Sequence, residues 1–353
     1  MIFSADRYKK IQIYMKISRN RIKALFDEFD GKKVMILGDV MIDAYLWGKV
    51  DRISPEAPVP VVSVKKRENL LGGAANVALN IKALGAVPLL CSVVGNDIRG
   101  EEFAALLQSD GISQECIIRS RERITTTKFR IIGNKAQMLR VDEEIDTDLS
   151  AEDEDKLLAG ILGVFEKHDI GAVILQDYNK GVLTGRVIRE VNAMASSRGI
   201  PVVVDPKKKN FDAYRKVDLF KPNLKELCEG LKIEMDLRDI DKIREAVVRW
   251  QKQQAISIVM VTLSEAGLFI RDVSDGEPVE HHIAAHLRNI TDVSGAGDTV
   301  ISVASLCRAA KAPSFLMASL SNLAGGLVCE HVGVVPVDRE RLLREALEFI
   351  AEE

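Results

Sequence analysis

From Lys33 onward the apolar residues fall into two kinds of run that take turns along the chain. Near-continuous Val/Ile/Leu stretches (KKVMILGDV, VPLLCSVVG, GAVILQDY, IPVVVDP, VDLFKPN, ISIVMVTL and AGLFIRD) predict strands buried on both faces. Between them lie segments whose apolar positions recur every three to four residues, predicting helices over 75–85, 99–111, 184–198 and 239–253. Further helices are expected over 297–308, 312–328 and 338–350. This order predicts an α/β fold, a mostly parallel central sheet flanked by helices. Ligands of such sheets sit beyond the carboxyl ends of the strands, where GD, QDY, DPK, KPN and TLS fall.

Two segments break the rhythm. Residues 45–66 carry APVPV among alternating apolar positions, and residues 116–141 contain ITTTKFRIIG and QMLRV, which alternate as antiparallel strands do. Together they predict a small β-sheet lid within a body spanning 33–353. Residues 1–32 form an N-terminal extension with an amphipathic helix beginning at Met15, itself a candidate natural start.

Composition narrows the classes. The chain has 353 residues, 47% of them hydrophobic, enough for a substantial core. A net charge of −3 offers no global field for nucleic acid or anionic membrane. Five cysteines are scattered without CxxC spacing, as buried thiols of a reducing compartment would be. Charges interrupt the N-terminus, and no apolar stretch reaches membrane-spanning length, so a soluble cytoplasmic protein is expected. His281, His282 and His286 alternate without acidic or thiol company and predict no metal site.

The stretch TDVSGAGDTV (291–300) runs straight into an apolar helix. Gly295, Ala296 and Gly297 let helix-start amides approach an anion without an intervening side chain. Asp298 then lies beside the anion's reacting end, a candidate base for a hydroxyl attacking a γ-phosphoryl group. An Asp at a helix start is also an ordinary cap. LGGAANVALNIKALG places paired glycines ahead of a helix with Asn76 in its first turn. In KPNLKE, Asn223 and Glu226 share a helix face; they suit a water-shelled Mg²⁺ beside phosphates, or equally a capping box. No Walker GxxxxGK[ST] occurs, so phosphate binding falls to the Gly-Ala-Gly helix start.

GDVMIDAY, RISPEAPVPVV, GGAANVALNIKALG, KFRII, DYNKG, DPK, PNLKE and DVSGAGDTVI follow one another as in the ribokinase-like (PfkB) carbohydrate kinases, which this chain resembles from about 33 to 333. Within the family, RISPEAPVPVV with DYNKG and DVSGAGDT most resembles the branch that phosphorylates the anomeric hydroxyl of a heptose 7-phosphate. The second, cytidylyltransferase-like half found in bifunctional members is missing before Glu353, which points to a stand-alone kinase. The resemblance implies ATP, Mg²⁺ and a monovalent cation, usually K⁺.

It also implies roles. Asp298 matches the base, and Gly295, Ala296 and Gly297 match the anion hole. Asn223 and Glu226 match the motif that organises Mg²⁺ and the ATP phosphates. Thr262, Ser264 and Gly267 lie at the nucleotide phosphates and ribose, Asn322 at the adenine side, and Lys207 within reach of a nucleotide phosphate. Asp39, Asp43, Gly72, Gly73 and Asn76 match the sugar-hydroxyl site, with Asp177 of DYNKG beside it, and Asp292 and Ser294 the cation loop. A sugar that already carries a phosphate also needs cations. Lys128 and Arg130 face one side of a lid strand, with Arg140 nearby and Lys180 in DYNKG. Such residues also discourage edge pairing of exposed strands. Ser294 stands where Thr is usual, and EHVGVVPV (330–337) departs from the family's glycine-threonine sequence. A homodimer through the lid is expected, because a small sheet alone buries little apolar surface. Rival readings are another sugar kinase of the family, a silent sugar sensor (against which Asp298 speaks), and a dinucleotide oxidoreductase, whose GxGxxG is lacking.

Overall fold

The Val/Ile/Leu runs form the centre of a nine-stranded sheet. In the computed structural model, which describes residues 17–352 apart from 135 and 238, the strands are β1 (Lys33–Gly38), β2 (Val40–Ile53), β3 (Pro60–Gly73), β4 (Val87–Gly95), β5 (Cys116–Ser120), β6 (Thr127–Gly133), β7 (Ala136–Glu143), β8 (Ile170–Gln176), β9 (Val202–Asp205), β10 (Leu219–Phe220), β11 (Ile258–Thr262), β12 (Leu268–Asp272) and β13 (Val279–Ile283). The helices are α1 (Arg19–Phe29), α2 (Ala74–Ala83), α3 (Ile98–Ser109), α4 (Ala151–Lys167), α5 (Gly185–Ser196), α6 (Leu224–Leu231), α7 (Ile240–Gln254), α8 (Ala296–Ala309), α9 (Ser314–Val328) and α10 (Arg339–Phe349). The large sheet runs β13-β12-β11-β10-β9-β8-β1-β4-β5, parallel from β11 to β5, with β12 and β13 antiparallel at one edge.

Alternation along β1 shows why these strands read as unbroken apolar runs. Val34 and Ile36 enter a core shared with α1, α2, α8, α9 and α10, while Met35 and Leu37 enter one shared with α4, α5 and α7. Both faces are covered, so no polar residue is tolerated on either. Helix α1 lies in the first core through Ile22, Leu25, Phe26 and Phe29, so it is part of the body; the start expected at Met15 lies outside the described residues.

The lid is a second sheet, ordered β3-β2-β6-β7. It departs from expectation in three ways. Its first hairpin extends beyond 45–66 to Val40 and Gly73. The strand at 116–120 leaves it and pairs in parallel with β4 at the edge of the main sheet, because CII is a short apolar run rather than an alternating one. Finally, β2 pairs with β6 in parallel, setting Asp43 against Lys128 and Tyr45 against Arg130. No helix among the described residues is long and apolar enough to cross a membrane.

Candidate active site

Helix α8 begins where the sheet's strand ends converge. Gly295 takes the left-handed conformation (φ 78°) that breaks the chain into the helix, and the first-turn amides that follow are the ones a helix cannot satisfy itself. The Ala296 amide reaches back to the Val293 carbonyl at 3.3 Å, so of the predicted cradle Gly297 and its neighbours offer the more open donors. A side chain on Gly295 would meet Asn76 and Val334; Val334, in the segment that departs from the family pattern, therefore backs the cradle. Beneath Gly297 lies an ion pair, Lys221 to Asp205 at 3.1 Å, both buried. Lys221 thus puts a buried ammonium, paired with Asp205, under the turn expected to hold an anion.

Asp298 is only 5% exposed. Three neutral donors hold its carboxylate: Asn76 Nδ2 donates to Oδ2 at 2.7 Å, and Oδ1 accepts from Tyr178 Oη at 2.6 Å and from Gln176 Nε2 at 3.3 Å. Burial pushes its pKa up to about 6 even though the Tyr178 and Asn76 bonds and the Lys221 charge pull the other way. A carboxylate in that range is ionised at neutral pH yet basic enough to share a proton. Burial and the facing Asp298 charge hold the Tyr178 phenol protonated well above its ordinary range, so it is a donor.

The loop 177–182 hangs on Asp39, whose buried carboxylate accepts from the Tyr178, Lys180 and Val182 amides at 2.9, 3.0 and 3.0 Å. Asp39, expected at the sugar-hydroxyl site, is thus also the anchor of this loop: both its oxygens accept from loop amides. Asp177 is bound up in the same way: its carboxylate accepts from the Asn179 amide (2.8 Å), Asn210 Nδ2 (3.1 Å) and the Tyr214 hydroxyl (2.7 Å). Buried carboxylates must be satisfied, and here backbone and core donors take both.

The lid presents its charged face to this loop. Arg130 pairs with Asp43 at 2.5 Å and lies over the Tyr45 ring, 5.2 Å from its centre. Gly72 has no Cβ because one would collide with the Asp43 carboxylate, and Gly73 (φ 62°) turns the chain from β3 into α2 so that Asn76 reaches Asp298. Arg140 is held in a two-point contact by Asp142 (2.9 and 2.7 Å), and Lys180 by Glu144 (2.6 Å). The Lys128 ammonium has neither a hydrogen bond nor an ion pair among the described residues, and burial lowers its pKa against the pull of Glu144 and Asp142.

Residues 31–340 match the model of the pfkB family carbohydrate kinases. The chain belongs to the pfkB carbohydrate kinase family. It is therefore a sugar kinase, and ATP with Mg²⁺ goes with that family. Similar proteins include the bifunctional protein HldE of Caulobacter vibrioides, 40% identical over 306 residues (86% of this chain, 61% of that protein), and that of Desulfatibacillum aliphaticivorans, 37% identical over 314 residues (89% and 63%). The chain thus spans about three fifths of the length of these relatives. Among solved structures it is similar to Escherichia coli phosphofructokinase-2 in complex with potassium (TM-score 0.73, 18% identity, covering 91% of this chain and 99% of that one). It is likewise similar to Arabidopsis thaliana ribokinase complexed with ribose and ATP (TM-score 0.65, 18% identity, 89% and 99%). These two establish the ribokinase-like fold.

Asn223 and Glu226 form a reciprocal capping box at the start of α6, each side chain bonded to the other's amide at 2.8 Å. Glu226 also pairs with Lys207, whose ammonium lies 5.6 Å from the Tyr178 ring centre. Glu226 is thus a buried acidic group of the kind that suits a water-shelled cation, with Lys207 neutralising it here. Thr262 ends β11 against Asn223, and Ser264 and Gly267 close a tight turn (Gly267 N to Ser264 O, 3.0 Å). Asn322 on α9 donates to the Ala284 carbonyl at 2.8 Å. Asp292 accepts from the Ser294 and Gly333 amides, both at 2.9 Å; burial would raise its pKa, but these bonds outweigh it and hold it low. Ser294 itself is exposed. Tyr178, Gln176, Lys221 and Asp205 were not singled out by sequence reasoning, although the DYNKG, QDY, KPN and DPK stretches that contain them mark strand ends.

Proposed function

We propose that this kinase transfers the γ-phosphoryl group of ATP to the anomeric hydroxyl of D-glycero-D-manno-heptose 7-phosphate, giving the 1,7-bisphosphate. The product would feed ADP-heptose synthesis, a route to the lipopolysaccharide core. One observation carries the reading: a single loop, hung on Asp39, puts Tyr178 on the candidate base and Lys180 beside the lid cation Lys128 and Glu144. A sugar whose reacting hydroxyl meets Asp298 would then carry its distal phosphate toward Lys128, Lys180 and Arg140. The RISPEAPVPVV and DYNKG resemblance and the HldE relatives support the same choice.

Asp298 would take the proton of the sugar hydroxyl, while the turn at 295–297 and Lys221 hold the migrating phosphoryl group. Glu226, through water, with Asn223 beside it, would hold Mg²⁺, which when bound neutralises charge on the ATP phosphates. The 292–294 turn is the proposed K⁺ loop. The lid's outer side, with Leu139 and Val141 exposed, is the proposed homodimer face. ATP as donor and five free cysteines suit the cytoplasm.

A coupled ADP-release assay across phosphorylated and unphosphorylated pentoses, hexoses and heptoses tests the assignment. Preference for the heptose 7-phosphate is expected; equal turnover of ribose or fructose would remove it. Lys128→Ala is expected to raise KM for the sugar phosphate by roughly 10–100-fold, the loss of a charge-assisted contact, with KM for ATP nearly unchanged. An equal rise in both KM values would take Lys128 out of the phosphate site.

A further inference from the structure

The three donors on Asp298 are unevenly shared, and that division selects one oxygen for chemistry. A carboxylate oxygen accepts at two lone-pair sites. Oδ1 has both filled, by the Tyr178 hydroxyl at 2.6 Å and Gln176 Nε2 at 3.3 Å, whereas Oδ2 has only Asn76 Nδ2 at 2.7 Å. Asn76 Nδ2 also lies 3.1 Å from where a Cβ on Gly295 would stand, so the less occupied oxygen is the one on the side of the anion turn. Gln176 is fixed in turn by Asp205, which accepts from the same Nε2 at 3.1 Å, and the Tyr178 backbone is fixed by Asp39.

We propose that Oδ2 of Asp298 takes the sugar proton, and that Tyr178 and Gln176 are positioning residues that direct it there by filling Oδ1. The proposal rests on the reading of Asp298 as base. In the step, the substrate O–H gives its proton to Oδ2 as the new O–P bond forms. The bond from phosphorus to the bridging oxygen breaks, and its electron pair leaves on ADP. Tyr178 keeps its proton throughout. The charged groups facing the carboxylate are Asp205, Lys221 and Lys207, and Asp43 acts on Tyr178 from the lid.

Tyr178→Phe is the direct test, because it leaves the ring beneath Lys207 and removes only the hydroxyl. Without that donor the ionised carboxylate loses stabilisation, so the base needs a higher pH to shed its proton. The acidic limb of the kcat profile is expected to move to higher pH, with kcat at pH 7 down roughly 2–10-fold and KM for ATP unchanged. The sugar phosphate titrates in the same region, so wild type and variant are compared on one substrate. Gln176→Leu, which removes the longer bond, is expected to shift the limb the same way by less, and it decides the matter if Tyr178→Phe does not fold. Acidic limbs that coincide with wild type in the folded variants would overturn the proposal. Asp298→Asn measured alongside separates the two ideas. An inactive Asp298→Asn with unshifted Tyr178→Phe overturns the positioning role alone, whereas an active Asp298→Asn overturns the base reading beneath it.

Discussion

Asp298→Asn is expected to lower kcat by about 10²–10⁴-fold, the range in which a positioned base contributes, while ATP binds with close to wild-type affinity. The substitution keeps shape and size. An amide can place its oxygen against Asn76 Nδ2 and its nitrogen against the Tyr178 oxygen, whose hydroxyl turns to accept; only the longer Gln176 contact is lost, because its Nε2 then meets another donor, so the fold holds. What is lost is the ability to take a proton. The pH dependence supplies a second reading. Asp298 has its pKa raised to about 6, so wild-type turnover falls as pH drops through that value and the base becomes protonated. The residual activity of the variant has no such base and should run flat across the same interval. Steady-state ADP release gives kcat, and calorimetric titration with ATP gives the affinity. Near-normal turnover would remove Asp298 from the reaction, and lost ATP binding would recast it as part of the nucleotide site.

How much of this was legible in the sequence depends on how far each contact reaches along the chain. Strands β1, β4 and β8 announce themselves because both of their faces are buried, which no surface element imitates. Strand β5 was misplaced because five residues carry no period that separates an edge of the main sheet from a lid strand. The Gly-Ala-Gly turn and Asp298 were readable as one local motif. Tyr178 was not, since its role is a bond to a residue 120 positions away, and nothing in DYNKG alone says which of its side chains turns toward α8. Asp39 and Asp177 add a second case. Aspartates at strand ends look alike in sequence, and only the fold shows that these two carboxylates hold loop amides and core donors. Asn223 and Glu226 show one of the two readings their spacing allowed: they cap α6, and Glu226 is also paired with Lys207.

Asp39→Ala should be the most destabilising single change near the site, costing about 3–5 kcal/mol. It strands three backbone amides, those of Tyr178, Lys180 and Val182, which have no other acceptor placed for them; Val182 is buried, so water reaches it poorly. Asp39→Asn is expected to cost less, because its oxygen keeps part of the set while its NH₂ opposes the rest. The pH dependence has a definite sign. Burial, with the Asp177 charge, raises the Asp39 pKa from an ordinary 3.8 to about 6 despite the three amides. A carboxyl raised on folding adds stability that is full below its unfolded pKa and is lost as pH rises through the folded one. The stability gap between wild type and Asp39→Ala should therefore be wider at pH 5 than at pH 7.5. Thermal unfolding at the two pH values measures it. Because the same loop carries Tyr178 and Lys180, the folded fraction of Asp39→Ala should also lose turnover and affinity for the sugar phosphate together, unlike Asp298→Asn, which should lose turnover alone. Wild-type stability in Asp39→Ala would mean that the loop is held by its other anchors, the Asp177 bonds to Asn210 and Tyr214, and that Asp39 is free to meet a ligand after all.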